Sequence, residues 1–189
     1  MKKNLGKFPA LFPMPVLMIG TYNEDGTVDV MNAAWGMMAD MQNIILNLSS
    51  VRKTLANIRR TKAFTVSLAT EATISESDFF GMVSGNAMKD KFAKSGFHVA
   101  KSEFVNAPLI EEYPLTMECE YVEEKELIKG RTGVIGKIVN VSCDENILDN
   151  EGKIEIKKIN AIMYDTINHG YYGVGEKAGQ AFSDGNKLK

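Results

Sequence analysis

Apolar positions in this chain fall into short β-branched runs and period-two alternations, interrupted by one clear helical stretch. Val16-Leu17-Met18-Ile19-Gly20-Thr21-Tyr22 is an apolar strand pattern, and Val28-Asp29-Val30-Met31-Asn32 alternates with period two. Between them lies the turn cluster Asn23-Glu24-Asp25-Gly26, with Gly26 free to take positive φ. The three segments together predict a hairpin. A third strand is expected over 43–48, apolar at Ile44, Ile45, Leu46 and Leu48, and a fourth over 63–68. Lys53 to Arg60 predicts a short helix, because Leu55 and Ile58 share one face. Residues 71–96 are polar and read as helix or loop, broken at Ser84-Gly85. Further strands are expected over 115–121, 133–143, 153–158 and 159–164, and a polar, frayed tail from Gly175. No regular βαβ alternation occurs, which favours an antiparallel barrel over a doubly wound sheet. With no repeat, linker or low-complexity stretch, 189 residues predict a single domain over 1–189.

Composition narrows the function classes. Lys plus Arg is 22 against 24 for Asp plus Glu, so the basic excess of a general nucleic-acid binder is missing. No run of 18 apolar residues occurs, so no membrane span is expected. Lys2, Lys3 and Lys7 precede an apolar stretch, but Pro9, Pro13 and Pro15 break any helical leader, and the expectation is a cytoplasmic protein. Cys119 and Cys143 form no CxxC and read as two buried thiols in a reducing compartment. His98 and His169 are the two histidines, which excludes a multi-histidine metal site and HExxH. Neither accompanies a recognisable nucleophile motif.

Gly130 to Lys137 looks like a phosphate loop but fails the template. Arg131 stands where the first glycine belongs, and Ile138 replaces the Ser/Thr that would hold magnesium. It reads as a strand with glycine kinks. Ser49-Ser50-Val51-Arg52-Lys53-Thr54 is more informative. It follows a strand and opens a helix, with Ser49 or Ser50 a natural N-cap. Two cations at a helix start oppose the macrodipole, whereas hydroxyls, free N–H groups and cations together suit an anion. A capped helix with solvated cations explains the same residues. Asn32-Ala33-Ala34-Trp35 ends a strand with two small residues and the lone Trp. It reads equally as the approach surface for a planar ligand and as a core anchor. Met88-Lys89-Asp90-Lys91-Phe92 reads as a solvated charge run, and Met37, Met38 and Met41 as packing filler.

Taken in order, these segments resemble the flavin reductase-like family of FMN-binding split barrels, in particular its flavoredoxin branch. The matching pieces are Phe12-Pro13-Met14-Pro15-Val16, Ile19-Gly20-Thr21, Asp25-Gly26, Asn32-Ala33-Ala34-Trp35, and Arg52-Lys53-Thr54 leading into Asn57-Ile58. Phe64-Thr65-Val66-Ser67, Asp90-Lys91-Phe92, Pro108-Leu109-Ile110, Glu118-Cys119 and Gly136-Lys137-Ile138-Val139 continue the series over nearly the whole chain. The resemblance implies a mainly β, six-stranded antiparallel Greek-key split barrel with a few short helices, assembled as a homodimer with bound FMN. Carried over by position, Asn32, Ala33, Ala34 and Trp35 would contact the isoalloxazine. Ser49, Ser50, Arg52, Lys53 and Thr54 would hold the phosphate and ribityl chain. Lys91 would add a cation near the flavin, and Tyr164 an aromatic contact. Related sequences often carry a His near the position of Arg131-Thr132, and this chain has none there. Arg131 could replace its positive charge but not its proton transfer at neutral pH. The implied function is an oxidoreductase in which NAD(P)H reduces FMN and electrons pass to free flavin or a partner protein. The alternative is an FMN electron carrier reduced by a redox partner, with no NAD(P)H site of its own.

Overall fold

The computed structural model describes residues 1–188. In chain order the first half holds β1 (Met14–Pro15), β2 (Leu17–Tyr22), β3 (Val28–Ala33), β4 (Gly36–Met38), β5 (Asn43–Ser49), α1 (Lys53–Thr61) and β6 (Ala63–Leu68). Then come α2 (Ile74–Met82), α3 (Lys91–Ser95), β7 (Val99–Lys101), β8 (Pro108–Ile110), β9 (Leu115–Ile128) and β10 (Arg131–Cys143). The chain ends through α4 (Ile156–Ile159), β11 (Ile162–Tyr164) and β12 (Tyr171–Gly173). The expected mainly β, antiparallel architecture is present.

The large sheet has the order β3-β2-β6-β9-β10-β5-β4, every pair antiparallel. That is seven strands where six were expected, the extra one being three-residue β4. The sheet's two outer strands, β3 and β4, are consecutive in the chain and joined only by Ala34-Trp35. At about 3.5 Å per residue, a link this short holds the two edges within roughly 11 Å of each other, so the sheet must curl on itself. The main-chain N–H of Asn47 also donates to the Trp35 carbonyl at 2.7 Å, fastening the link to β5.

Side-chain alternation fills the curl. On β2, Leu17 and Ile19 point into one core with Met31, Leu46, Leu55, Phe64 and Val134. Val16 and Met18 face a second core with Val30, Phe80, Ile110 and Tyr113. Burial on both faces explains why this strand reads as a continuous apolar run rather than an alternation. Gly136 lies against the Phe64 ring, where a Cβ would collide with it.

Several expectations are corrected. Residues 153–158 form no strand; α4 begins at Ile156. Ile154 and Ile156 are exposed, so their alternation has no sheet face to bury, and only Ile159 packs inward. The last predicted strand starts at Ile162, because Asn160 adopts φ 52° and ends α4. Strand β9 runs on to Ile128 through Glu123-Glu124-Lys125-Glu126, a ribbon too exposed to carry an apolar signature. Cys143 is exposed, whereas Cys119 is buried as expected. Met37, Met38 and Met41 are exposed rather than packed. The helix cap is Arg52, with extended ψ of 138°, not Ser49 or Ser50. Ser49 is still in β5, and Ser50 sits in a turn closed by the Arg52 N–H on the Ser49 carbonyl.

The charge run at 88–92 hides a buried lysine. Lys91 Nζ lies 3.3 Å from Asp29 Oδ1, both side chains only 2–3% exposed. The Thr54 hydroxyl donates to the other Asp29 oxygen at 2.7 Å, and Lys91 also donates to the Val83 carbonyl at 3.3 Å. Burial pushes the Lys91 ammonium down from its ordinary range, and the adjacent Asp29 works against that shift. One carboxylate thus ties β3, α1 and α3 together. Removing one member of a buried pair strands the other charge, which costs about 3–5 kcal/mol. Asp29→Asn should therefore lower the unfolding free energy by about that amount in urea denaturation. A loss under about 1 kcal/mol would show that the pair is solvated.

Candidate functional site

A cavity of about 330 Å³ opens along the seam where β3 passes into β4. Its floor is the end of β3 and the link, from Asn32 through Ala33 and Ala34 to Trp35. Strand β5 is buried at Ile44, Leu46 and Leu48, so the alternate residues Asn47 and Ser49 face outward toward the cavity. Arg131 lies directly opposite Ser49 in the β5–β10 register and shares its face. Its Nε donates to the Asn47 side-chain oxygen at 3.1 Å and an Nη to the Asn47 carbonyl at 2.8 Å. That guanidinium is held before any ligand arrives. Arg52, at the start of α1, is the second cation on the wall. The helix opens with neither a side-chain cap nor an acidic residue in its first turn. A half-buried guanidinium and an exposed one beside an uncapped helix start are suited to an anion.

The other wall comes from α2 and from the C-terminal segment. Gly81 packs against β3 so closely that a Cβ there would lie 3.2 Å from the Asn32 Cβ. The Asn32 amide donates to the Ser77 carbonyl at 3.0 Å. One turn before Gly81, Asp78 faces the cavity and accepts a 2.8 Å hydrogen bond from the Tyr171 hydroxyl. Burial, then the Asp78 carboxylate, push the Tyr171 hydroxyl up to about 12. Asp165 organises the turn that brings in His169: its carboxylate accepts from the Ile167 N–H at 2.7 Å and the Asn168 amide at 2.8 Å. These bonds hold its carboxyl below the usual range. His169 takes φ 59° at the end of that turn, and its Nδ1 lies 2.7 Å from the Tyr164 hydroxyl. The two rings stack at 6.2 Å.

Of the residues expected at a binding site, Asn32, Ala33, Ala34, Trp35, Ser49, Arg52 and Tyr164 line this cavity. Trp35 is half exposed, which decides against the core-anchor reading. Ser50, Lys53, Thr54 and Lys91 lie outside the lining. The Ser50 hydroxyl is bonded to Thr132 at 2.9 Å, and Lys53 faces a separate hollow with Lys89 and Gly85. Thr54 and Lys91 are both spent on Asp29. The sequence reading missed Asn47, Asp78, His169 and Tyr171 as cavity residues. The alternation of Asn47 and Ser49 around Leu48 was a usable signal. Nothing local marks Asp78 or Tyr171, which meet from 93 residues apart. His169 brings an imidazole to the same cavity as Arg131. Among the described residues no group of three His, Cys, Asp or Glu side chains could hold a metal ion. No helix among the described residues is long and apolar enough to cross a membrane.

Beside this cavity, and sharing Trp35 and Asn47 with it, runs an apolar groove of about 410 Å³ lined by Leu11, Pro13, Met37 and Leu127 among others.

A family model described as the flavin reductase like domain matches residues 9–167. The fold superposes on the flavoredoxin of Desulfovibrio vulgaris (Miyazaki F) with a TM-score of 0.92 and 33% identity, covering 98% of this chain and 100% of that one. A flavoredoxin from Methanosarcina acetivorans gives a TM-score of 0.90 at 25% identity, with 100% of both chains covered. An uncharacterized protein of Aeropyrum pernix is 29% identical over 118 residues, which is 61% of this chain but only 44% of that relative's length.

Proposed function

The chain belongs to the flavin reductase-like domain family, and on that premise we propose that it is an oxidoreductase that binds FMN along the barrel seam. The carrying observation is the pairing of a small-residue floor, Ala33-Ala34 beside Trp35, with two guanidiniums on one wall, that of Arg131 fixed by Asn47. A planar ring needs close main-chain approach, and a phosphate dianion needs cations and free N–H groups. The residues present fit that ligand. Arg52, Arg131 and Ser49 would hold the phosphate, and Asn32, Ala33, Ala34, Trp35 and Tyr164 would frame the ring. Ser50, Thr54 and Lys91 would act behind them by fixing the turn and the start of α1, while Lys53 faces the separate hollow. Bound FMN would supply the hydride and electron chemistry. The protein's part is to orient the ring, exclude water from one face and set the local charge. His169, steadied by Tyr164, presents an imidazole at this wall.

The reductase reading has NAD(P)H as electron donor and free flavin or a partner protein as acceptor. The second reading, an electron carrier reduced by a redox partner, is favoured by the 33% identity to a flavoredoxin over the whole length of that chain. Anaerobic stopped-flow mixing of the FMN-loaded protein with NADH and with NADPH separates them. Bleaching of the flavin's visible absorption within seconds is expected for a reductase; oxidised flavin persisting for many minutes identifies the carrier.

The apolar groove next to the cavity supports a homodimer. Trp35, Met37, Leu11 and Leu127 would otherwise leave a contiguous apolar surface in water. Light scattering at micromolar concentration should give twice the 20.9 kDa chain mass; a monomer would refute this assembly.

Arg52 gives the sharpest test of the phosphate assignment. A charge-assisted hydrogen bond contributes about 1.5–3 kcal/mol, or roughly 10- to 150-fold in affinity. Arg52→Ala should weaken FMN binding by one to two orders of magnitude while barely changing riboflavin binding. Equal losses for both ligands would make Arg52 a structural residue or a ring contact.

A further inference from the structure

The cavity has two unlike walls. Arg52 and Arg131 make one cationic, whereas Asp78 places a carboxylate on the other. A carboxylate in a cavity suited to an anion works against binding unless it meets a hydrogen-bond donor. Ligand closure removes water from it, and an ionised acceptor left without a partner costs more than a neutral one.

Asp78 has one such position unfilled. Its Oδ1 accepts from the Tyr171 hydroxyl at 2.8 Å. Among the described residues its Oδ2 accepts no hydrogen bond and the group joins no ion pair. The carboxylate is also well located. Asn32 is bonded to the carbonyl of Ser77, the residue before Asp78, so the helix cannot slide relative to the ring-facing end of β3. Gly81 closes the same contact one turn later. Tyr171 then fixes the rotation of the carboxylate from the opposite side. Nothing among the described residues uses the remaining oxygen, and it belongs to a group lining the cavity.

We propose that Asp78, oriented by Tyr171, accepts a hydrogen bond from an uncharged donor on the phosphate-free part of the ligand. This rests on the flavin reading above. In FMN that donor is either the imide N–H of the ring or a ribityl hydroxyl, both of which are neutral and able to approach a carboxylate. The site thereby reads two features at once: an anion at the guanidinium wall and a donor at the carboxylate wall. A phosphorylated planar molecule without such a donor is rejected. Asp78 is a specificity-determining contact, and Tyr171 is a positioning residue that acts through it.

The test titrates wild-type protein, Asp78→Ala and Tyr171→Phe with FMN, riboflavin, lumiflavin and 3-methyllumiflavin, following ligand fluorescence. Asp78→Ala should weaken FMN and riboflavin by the same factor, about 10-fold or more. Tyr171→Phe should give a smaller loss with the same ligand pattern. Lumiflavin lacks the ribityl chain, and 3-methyllumiflavin lacks the imide proton as well. If the imide is the donor, the wild type prefers lumiflavin to its methyl derivative and Asp78→Ala does not. If a ribityl hydroxyl is the donor, Asp78→Ala loses affinity for riboflavin but not for lumiflavin. Riboflavin affinity of Asp78→Ala within twofold of the wild type overturns the proposal. So does tighter FMN binding, which is what a carboxylate that only repels the phosphate would give. Should Asp78→Ala fail to fold, Tyr171→Phe decides by the same criterion: unchanged riboflavin affinity overturns the assignment. Wild-type protein that binds none of the four ligands refutes the flavin reading itself, an outcome separate from failure of the Asp78 contact alone.

Discussion

The two-residue link between β3 and β4 is the constraint on which the rest depends. A seven-stranded sheet whose outer strands are consecutive in the chain cannot lie flat. Closing it brings the outward face of β5, the end of β3 and the start of β10 to one seam. Ala33 and Ala34 keep that seam open, and the half-exposed Trp35 borders it. The same link therefore makes both the barrel and the cavity. A bulkier residue in place of either alanine would fill the space in which a planar ligand has to lie.

Behind the seam, buried polar groups hold the pieces in register. Asp29 serves β3, α1 and α3 simultaneously through Thr54 and Lys91. Asn57 on α1 donates to Thr21 Oγ1 at 3.1 Å and to the Asn23 side chain at 2.9 Å, fixing the helix against the β2–β3 hairpin. The position of Arg52 follows from these bonds, because it sits at the start of that helix. Arg131 is fixed differently, by the strand register and by Asn47. Two cations from distant parts of the chain are thus set independently on one wall, so a change to either support perturbs one anchor and spares the other.

Much of this was legible in the residues. The hairpin at 16–32, the strand at 43–48 and the helix from Lys53 carry local signals, and their packing confirms each. The residues of the floor and Arg52 were readable because small residues after a strand, and cations at a helix start, are locally unusual. The remainder was not local. Lys91 looks like part of a solvated run until Asp29 is brought to it from 62 positions away in the numbering. Asp78 and Tyr171 have no neighbours in sequence that distinguish them. The exposed ribbon at 122–128 lacks an apolar face, and periodicity is silent where nothing is buried. Conversely, the alternation at 153–158 was present but had no sheet to join.

The central claim is that the flavin ring lies on the floor formed by Ala33, Ala34 and Trp35. Trp35 is the single tryptophan of the chain, so its emission reports on that floor alone. Titration with FMN should quench Trp35 fluorescence almost completely. The quenching should saturate at one FMN per chain, in step with the change in flavin fluorescence. Saturable FMN binding that leaves the Trp35 emission unchanged would place the ring elsewhere and contradict the account.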